Sequence, residues 1–135
     1  MPEWNWKRLI LCVIAVFGFL FLFDMIYYGL LMPRAIQIDP DLWRPQAEKQ
    51  PLLWMLGQSI FAFGFSALFA RFGLGGIRGG MEFGIGIGVL MAVNVLYNYV
   101  ALSLTLGVLC FQATGALIEY SVAGLIAGSL YKGKN

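Results

Sequence analysis

Residues 72–92 read FGLGGIRGGMEFGIGIGVLMA, and small residues recur in this stretch at every fourth position. The recurring positions are Gly76, Gly80, Gly84, Gly88 and Ala92. In water, each glycine in a helix costs about 0.8–1 kcal/mol relative to alanine, which favours a loop. In a bilayer, an apolar segment must be helical or part of a closed barrel, and small residues four apart let a second helix approach closely. The stretch therefore predicts a membrane helix with a packing groove.

The composition of the whole chain agrees with this interpretation. The 135 residues are 60% hydrophobic and 12% charged, whereas soluble domains have about 25% charged residues. The chain lacks histidine, the commonest general base, and Cys12 and Cys110 do not have a metal-type spacing. We therefore expect a single membrane domain over residues 1–135, with no metal, no cofactor and no enzymatic activity. The net charge of +2 forms no basic stripe, so nucleic acid is not an expected partner.

Four apolar segments are long enough to cross a bilayer core, which takes about 20 helical residues. The predicted spans are 9–32, 52–72, 79–99 and 105–131. We expect Pro33 to end the first helix, because proline interrupts the helical hydrogen bonds, and a tight turn near residues 100–104. The predicted fold is all-α, an integral membrane bundle of four transmembrane helices with glycine-zipper packing. The helix-packing glycines are Gly76, Gly80, Gly84, Gly88, Gly124 and Gly128.

The polar segment 33–51 separates the first two spans. Asp39, Pro40 and Asp41 have the pattern of a helix start, so a short interfacial helix carrying Trp43 is expected there. This segment is either a lid over the bundle or a connector with an aromatic anchor, and the connector is favoured.

The distribution of basic residues predicts the topology. One side of a four-span bundle holds six basic residues, Lys7, Arg8, Arg71, Arg78, Lys132 and Lys134, and the other holds Arg34, Arg44 and Lys49. By the positive-inside rule the first side is cytoplasmic. We therefore expect an integral protein of the bacterial inner membrane with both termini in the cytoplasm and segment 33–51 outside.

Polar residues inside the predicted spans are the candidates for substrate or ion binding. Four lie about 8–12 Å below the outer surface at 1.5 Å per residue, and these are Asp24, Gln58, Asn94 and Gln112. Glu119 lies deeper, one heptad from Gln112. The amides are more often interhelical hydrogen-bond partners than ligands, whereas intramembrane carboxyls mark functional sites by default. For Asp24 and Glu119 the open alternative is a protonated carboxyl that serves only as a hydrogen-bond donor. Glu82, four residues after Arg78, is expected to form a partly solvated ion pair.

The order of these features resembles that of small four-span bacterial inner-membrane proteins of unknown function. The resemblance is carried by a D-x-x-Y-Y-G block from Asp24 to Gly29, the polar loop, the glycine-rich entry to the third helix and the tight turn before the fourth. It implies the four-helix fold and no particular activity.

Two functions of different classes remain open at this point. The first is a transporter or channel-like carrier that binds a proton, a cation or a cationic solute at the intramembrane carboxyls. The second is a non-catalytic assembly or accessory subunit, whose glycine groove recruits another membrane protein. Besides the lipid bilayer, the expected partner is a second copy of the chain in the first case and a different membrane protein in the second.

The predicted topology can be tested by labelling single cysteines placed at Gln46 and at Asn135, with Cys12 and Cys110 replaced. A membrane-impermeant thiol reagent should label intact cells at position 46 only. Labelling at position 135 in intact cells would contradict the topology.

Overall fold

The computed structural model describes residues 4–35 and 50–131. These residues form four helices and no strand: α1 (Trp6–Ala35), α2 (Pro51–Arg71), α3 (Gly76–Ala101) and α4 (Leu106–Leu130). Each helix is long and apolar enough to cross a membrane, which confirms the all-α fold with four helices of spanning length. The helix start expected at Asp39–Asp41, its Trp43, and Lys132 and Lys134 lie outside the described residues.

The helix starts follow from local sequence. Asn5 caps α1, because its side-chain Oδ1 accepts a hydrogen bond from the Arg8 backbone N–H at 3.2 Å. Pro51 begins α2 at the position where a missing N–H costs nothing. Thr105 caps α4 by accepting from the Val108 N–H at 3.3 Å. The reversal between α3 and α4 occupies residues 102–105, where the sequence predicts a turn near residues 100–104.

The first helix departs from the expectation that Pro33 ends it. An α-helical part, Trp6–Phe23, is followed by a π-helical part, Asp24–Leu31, and then by a short α-helical part, Met32–Ala35, that contains Pro33. In a regular α-helix the proline ring would clash with the carbonyl four residues earlier. The wider π-helical turn directly before Pro33 alters the spacing of that carbonyl, so the helix continues through the proline.

The connection between α2 and α3 needs glycine. Gly73 has φ 66° and Gly76 has φ 76°, and such left-handed angles are readily adopted only by glycine. The third helix accordingly begins at Gly76, three residues before the start expected at Gly79.

The closest helix pair is α3 and α4, which pack along most of their length. Three glycines of α3, Gly80, Gly84 and Gly88, are buried against the backbone of α4. A Cβ atom at Gly80 would lie 2.8 Å from the Gly128 Cα atom, and one at Gly124 would lie 2.8 Å from the Gly84 Cα atom. Since real Cβ atoms essentially never approach other atoms so closely, the two backbones touch where only glycine fits.

The remaining core lies between α1, α2 and α4. It contains Cys12, Val16 and Leu20 of α1, together with Ala62, Phe65 and Phe69 of α2 and Ala123 and Ala127 of α4. Less than a third of the residues in each spanning stretch are buried inside the chain. Many large apolar side chains of the described residues are therefore exposed, and this amount of exposed apolar surface is compatible with an integral membrane protein.

Gly84 and Gly86 of α3 form a matched pair for testing the contact between α3 and α4. Gly84 is buried against the α4 backbone, whereas a Cβ atom at Gly86 would have no other atom within 4 Å. Gly84→Ala should lower the free energy of unfolding by about 1–3 kcal/mol, because the added methyl group forces the helices apart. Gly86→Ala should be neutral or raise it by up to about 1 kcal/mol, because alanine is the better helix former.

Unfolding of the two variants in the same detergent measures this difference. Equal effects of the two substitutions would show that the α3–α4 contact does not require a bare backbone at Gly84.

Candidate functional site

The π-helical part of α1 begins at Asp24. The Asp24 backbone N–H bonds to the carbonyl oxygens of both Leu20 and Phe21, and at the other end of the segment the Met32 N–H bonds to the Tyr27 carbonyl oxygen. Departures of this kind from α-helical geometry are rare and occur frequently at functional sites. The segment sets the direction in which Asp24, Tyr27 and Tyr28 leave the helix.

Three of the predicted site residues meet between α1, α2 and α4. The Gln58 side chain of α2 donates a hydrogen bond from Nε2 to Asp24 Oδ2. The Asp24 carboxyl also lies within hydrogen-bonding reach of the Glu119 carboxyl on α4. Glu119 is only 3% exposed. We call Asp24, Gln58 and Glu119 the carboxyl cluster.

The chemistry of the carboxyl cluster follows from its two acids. An ionised carboxylate only accepts hydrogen bonds, so a hydrogen bond between Asp24 and Glu119 requires a proton on one of them. Two carboxyl groups in contact also cannot both ionise without strong repulsion. The arrangement can therefore hold one proton between two helices.

Two tyrosines next to Asp24 join α1 to the start of α4. The Tyr27 hydroxyl donates to the Phe111 carbonyl oxygen at 2.7 Å, and the Tyr28 hydroxyl donates to the Gln112 carbonyl oxygen at 3.3 Å. Gly115 makes room for both rings, because a Cβ atom there would lie 2.7 Å from the Tyr28 hydroxyl oxygen. These contacts hold the π-helical part of α1 against α4.

An open pocket of about 470 Å³ adjoins the carboxyl cluster on one side. It lies between α1, α2 and α4, and its lining residues are Asp24, Met25, Tyr28, Gly29, Trp54 and Gln112. Asp24 belongs to both the pocket and the carboxyl cluster, whereas Glu119 is buried and is not a lining residue of the pocket. The pocket thus gives access to one of the two acids.

The predicted site residues have different positions in the structure. Asp24, Gln58 and Glu119 form the carboxyl cluster, and Gln112 lines the pocket and accepts the Tyr28 hydrogen bond through its backbone. Asn94 is exposed on α3, and the structure does not bring it to the cluster. Reasoning from sequence did not assign Trp54 to the site. Its place in the pocket depends on how α2 is rotated, which its almost uniformly apolar sequence does not indicate.

Other polar groups lie away from the cluster. The Arg78 Nε atom and the Glu82 Oε1 atom form an ion pair at 3.0 Å, with the two side chains 92% and 60% exposed. The buried Cys12 thiol donates to Ser66 Oγ at 3.4 Å, and Cys110 is exposed. Among the described residues, no three His, Cys, Asp or Glu side chains are grouped so that they could hold a metal ion.

Comparison of the chain with protein-family models, curated proteins and solved structures finds no match.

The contact between the π-helical part and α4 can be tested with Tyr27→Phe. Removing the hydroxyl that bonds to the Phe111 carbonyl should lower the free energy of unfolding by about 1 kcal/mol. Tyr97→Phe is the matched control, because Tyr97 is 68% exposed. Removing its hydroxyl group should lower the free energy of unfolding by less than about 0.5 kcal/mol. Unfolding in detergent gives both values, and a Tyr27→Phe protein as stable as the control would show that the bond does not hold α1 to α4.

Proposed function

We propose that this protein is a small integral membrane carrier that binds a proton or a cation at the Asp24–Glu119 pair. The observation that carries the proposal is the contact between these two carboxyl groups at the edge of an open pocket. A charged side chain near the centre of a bilayer costs at least about 2.5–3.5 kcal/mol. Two acids brought together at such a cost are more easily explained by a bound proton or cation than by packing.

The surroundings of the pair support this proposal. Within the described ranges, neither Asp24 nor Glu119 forms an ion pair with a lysine or an arginine, and the polar partner from α2 is the neutral Gln58. No lysine or arginine among the described residues therefore neutralises the pair. A proton can neutralise the pair when the site is otherwise empty, and a cation that enters through the pocket can replace it.

The proposal includes a specific arrangement in the membrane. All four helices cross the bilayer, both termini are cytoplasmic, and α3 and α4 are held together by a glycine zipper formed by Gly80, Gly84, Gly88, Gly124 and Gly128. The pocket lies toward the end of the bundle where α1 ends and α2 and α4 begin. In this topology it opens toward the outer surface, so that a solute would reach Asp24 from outside.

The alternative function is an assembly or accessory subunit with a free glycine groove. The packing of α3 argues against it, because Gly80, Gly84 and Gly88 lie against α4 of the same chain. A partner could occupy this groove only by displacing α4. The carrier is therefore the better-supported function, and a homodimer remains the expected way in which so small a chain would enclose a path.

The proton on the pair can be tested by infrared difference spectroscopy on protein in lipid. The wild type should show a carboxylic-acid band at neutral pH that disappears in Glu119→Gln, which keeps the shape and can still donate a hydrogen bond to Asp24. Glu82→Gln is the matched control, because Glu82 is exposed in an ion pair with Arg78, and it should leave the band unchanged.

The band should also change when a bound cation replaces the proton or alters its hydrogen bond. A wild-type spectrum without a carboxylic-acid band at neutral pH would contradict the proposal. A band that is identical in wild type and Glu119→Gln would contradict it as well.

A further inference from the structure

The pocket at the carboxyl cluster combines one acid with two aromatic rings. Asp24 and Tyr28 come from α1, Trp54 comes from α2, and Gln112 closes the pocket from α4. We propose that the pocket binds a small monovalent organic cation, with its ammonium group against Asp24 and its apolar part against Trp54 and Tyr28. This inference rests on the proposed carrier function and names its substrate class.

The charge of the lining selects a cation. Asp24 is the one acidic side chain among the described residues that line the pocket, and neither lysine nor arginine is among them. An anion would meet the carboxylate without a positive group to offset it, and a neutral solute would leave the negative charge of the carboxylate without a counterion. A single positive charge complements the pocket best.

The size and surface of the pocket favour an organic cation over a metal ion. Its volume of about 470 Å³ falls in the range of about 300–1,000 Å³ that is typical of small-molecule sites. Hard metal ions need several oxygen ligands converging on one point, six to eight in the case of calcium. Here the side chains of Asp24, Tyr28 and Gln112 supply the oxygens, and Met25 and Trp54 make much of the remaining wall apolar.

The aromatic rings are held in place before any ligand binds. The Trp54 ring packs against Phe21 with a centroid distance of 5.4 Å, and it remains 41% exposed. The Tyr28 hydroxyl is bonded to the Gln112 carbonyl oxygen at 3.3 Å. A cation over the face of such a ring is attracted by its negative π surface, so these fixed rings add to the attraction of Asp24.

Binding of the cation is expected to compete with a proton. The pair with one proton, shared between Asp24 and Glu119, carries one negative charge and can accept one monovalent cation at Asp24. A second proton on Asp24 removes that charge and releases the cation. Among the described residues, the other titratable groups whose charge affects the pair are Tyr28 on α1 and Tyr120 on α4, and α2 contributes the neutral Gln58.

The test uses the full-length protein in nanodiscs of zwitterionic phosphatidylcholine, with empty nanodiscs subtracted. The probes are trimethyl(phenyl)ammonium, benzenesulfonate as an anion of similar size, and potassium ion, and binding is measured by titration calorimetry. The variants are Asp24→Asn, Trp54→Leu, and Trp6→Leu as the matched control, because Trp6 lies at the other end of α1 and is 61% exposed.

Saturable binding of trimethyl(phenyl)ammonium, but of neither benzenesulfonate nor potassium ion, is the expected result. Asp24→Asn should weaken it about tenfold or more, and Trp54→Leu should weaken it by about three- to thirtyfold. Trp6→Leu should leave it unchanged. If Asp24→Asn fails to fold, the wild type still tests the role of the acid, because its affinity must fall as the pH is lowered.

Three results would overturn the inference: no saturable binding of the ammonium probe, equal binding of benzenesulfonate, or the same affinity in Trp54→Leu and Trp6→Leu. The infrared spectrum separates this failure from that of the carrier proposal. A carboxylic-acid band that depends on Glu119, together with no binding of the organic cation, would remove the substrate class and leave the proton site. The absence of both would remove both.

Discussion

The site depends on a contact between two carboxyl groups from opposite ends of the sequence. Asp24 and Glu119 are 95 positions apart in the chain, and their carboxyl groups lie within hydrogen-bonding reach of each other. A hydrogen bond between them requires a proton on one of them. In an apolar environment, an unpaired polar group costs several kcal/mol. The positions of α1 and α4 are therefore constrained by the need of each acid for the other, and Gln58 adds the same constraint on α2.

Packing between the helices fixes the positions of the two carboxyl groups. The α3–α4 contact is made of backbone against backbone at Gly80, Gly84, Gly124 and Gly128, so its spacing cannot vary with side-chain rotamers. Because Glu119 lies on α4, holding α4 against α3 also fixes the position of Glu119, against which α1 packs. Tyr27 and Tyr28 then join α1 to α4 through backbone carbonyls, which places Asp24 beside Glu119.

Much of the fold can be predicted from the sequence because four stretches are each long and apolar enough to form a helix that could cross a bilayer. The number of helices and the reversal near residue 102 follow from the length and spacing of the apolar segments. The end of the first helix is the exception. Pro33 lies within α1 because a π-helical part precedes it, and no sequence pattern at residues 24–31 indicates that part. The sequence identifies Asp24 and Glu119 as the two intramembrane carboxyls, but their contact depends on how α1 packs against α4.

The walls of the site were less predictable. The α2 and α3 helices are apolar on all sides, so periodicity does not identify their inner faces. For that reason the sequence does not indicate that Asn94, one of the candidate residues, is exposed on α3, or that Trp54 lines the pocket. Rotation about the helix axis is determined by contacts between helices, which only the folded structure contains.

The central claim is that Asp24 and Glu119 act as one unit, and a double-mutant cycle tests it most directly. The free energies of unfolding of the wild type, Asp24→Asn, Glu119→Gln and the double variant would be measured in one detergent. The account predicts an interaction energy of about 0.5–3 kcal/mol, as found for residues in direct contact. Effects that add to within about 0.3 kcal/mol, as for distant and independent sites, would contradict it.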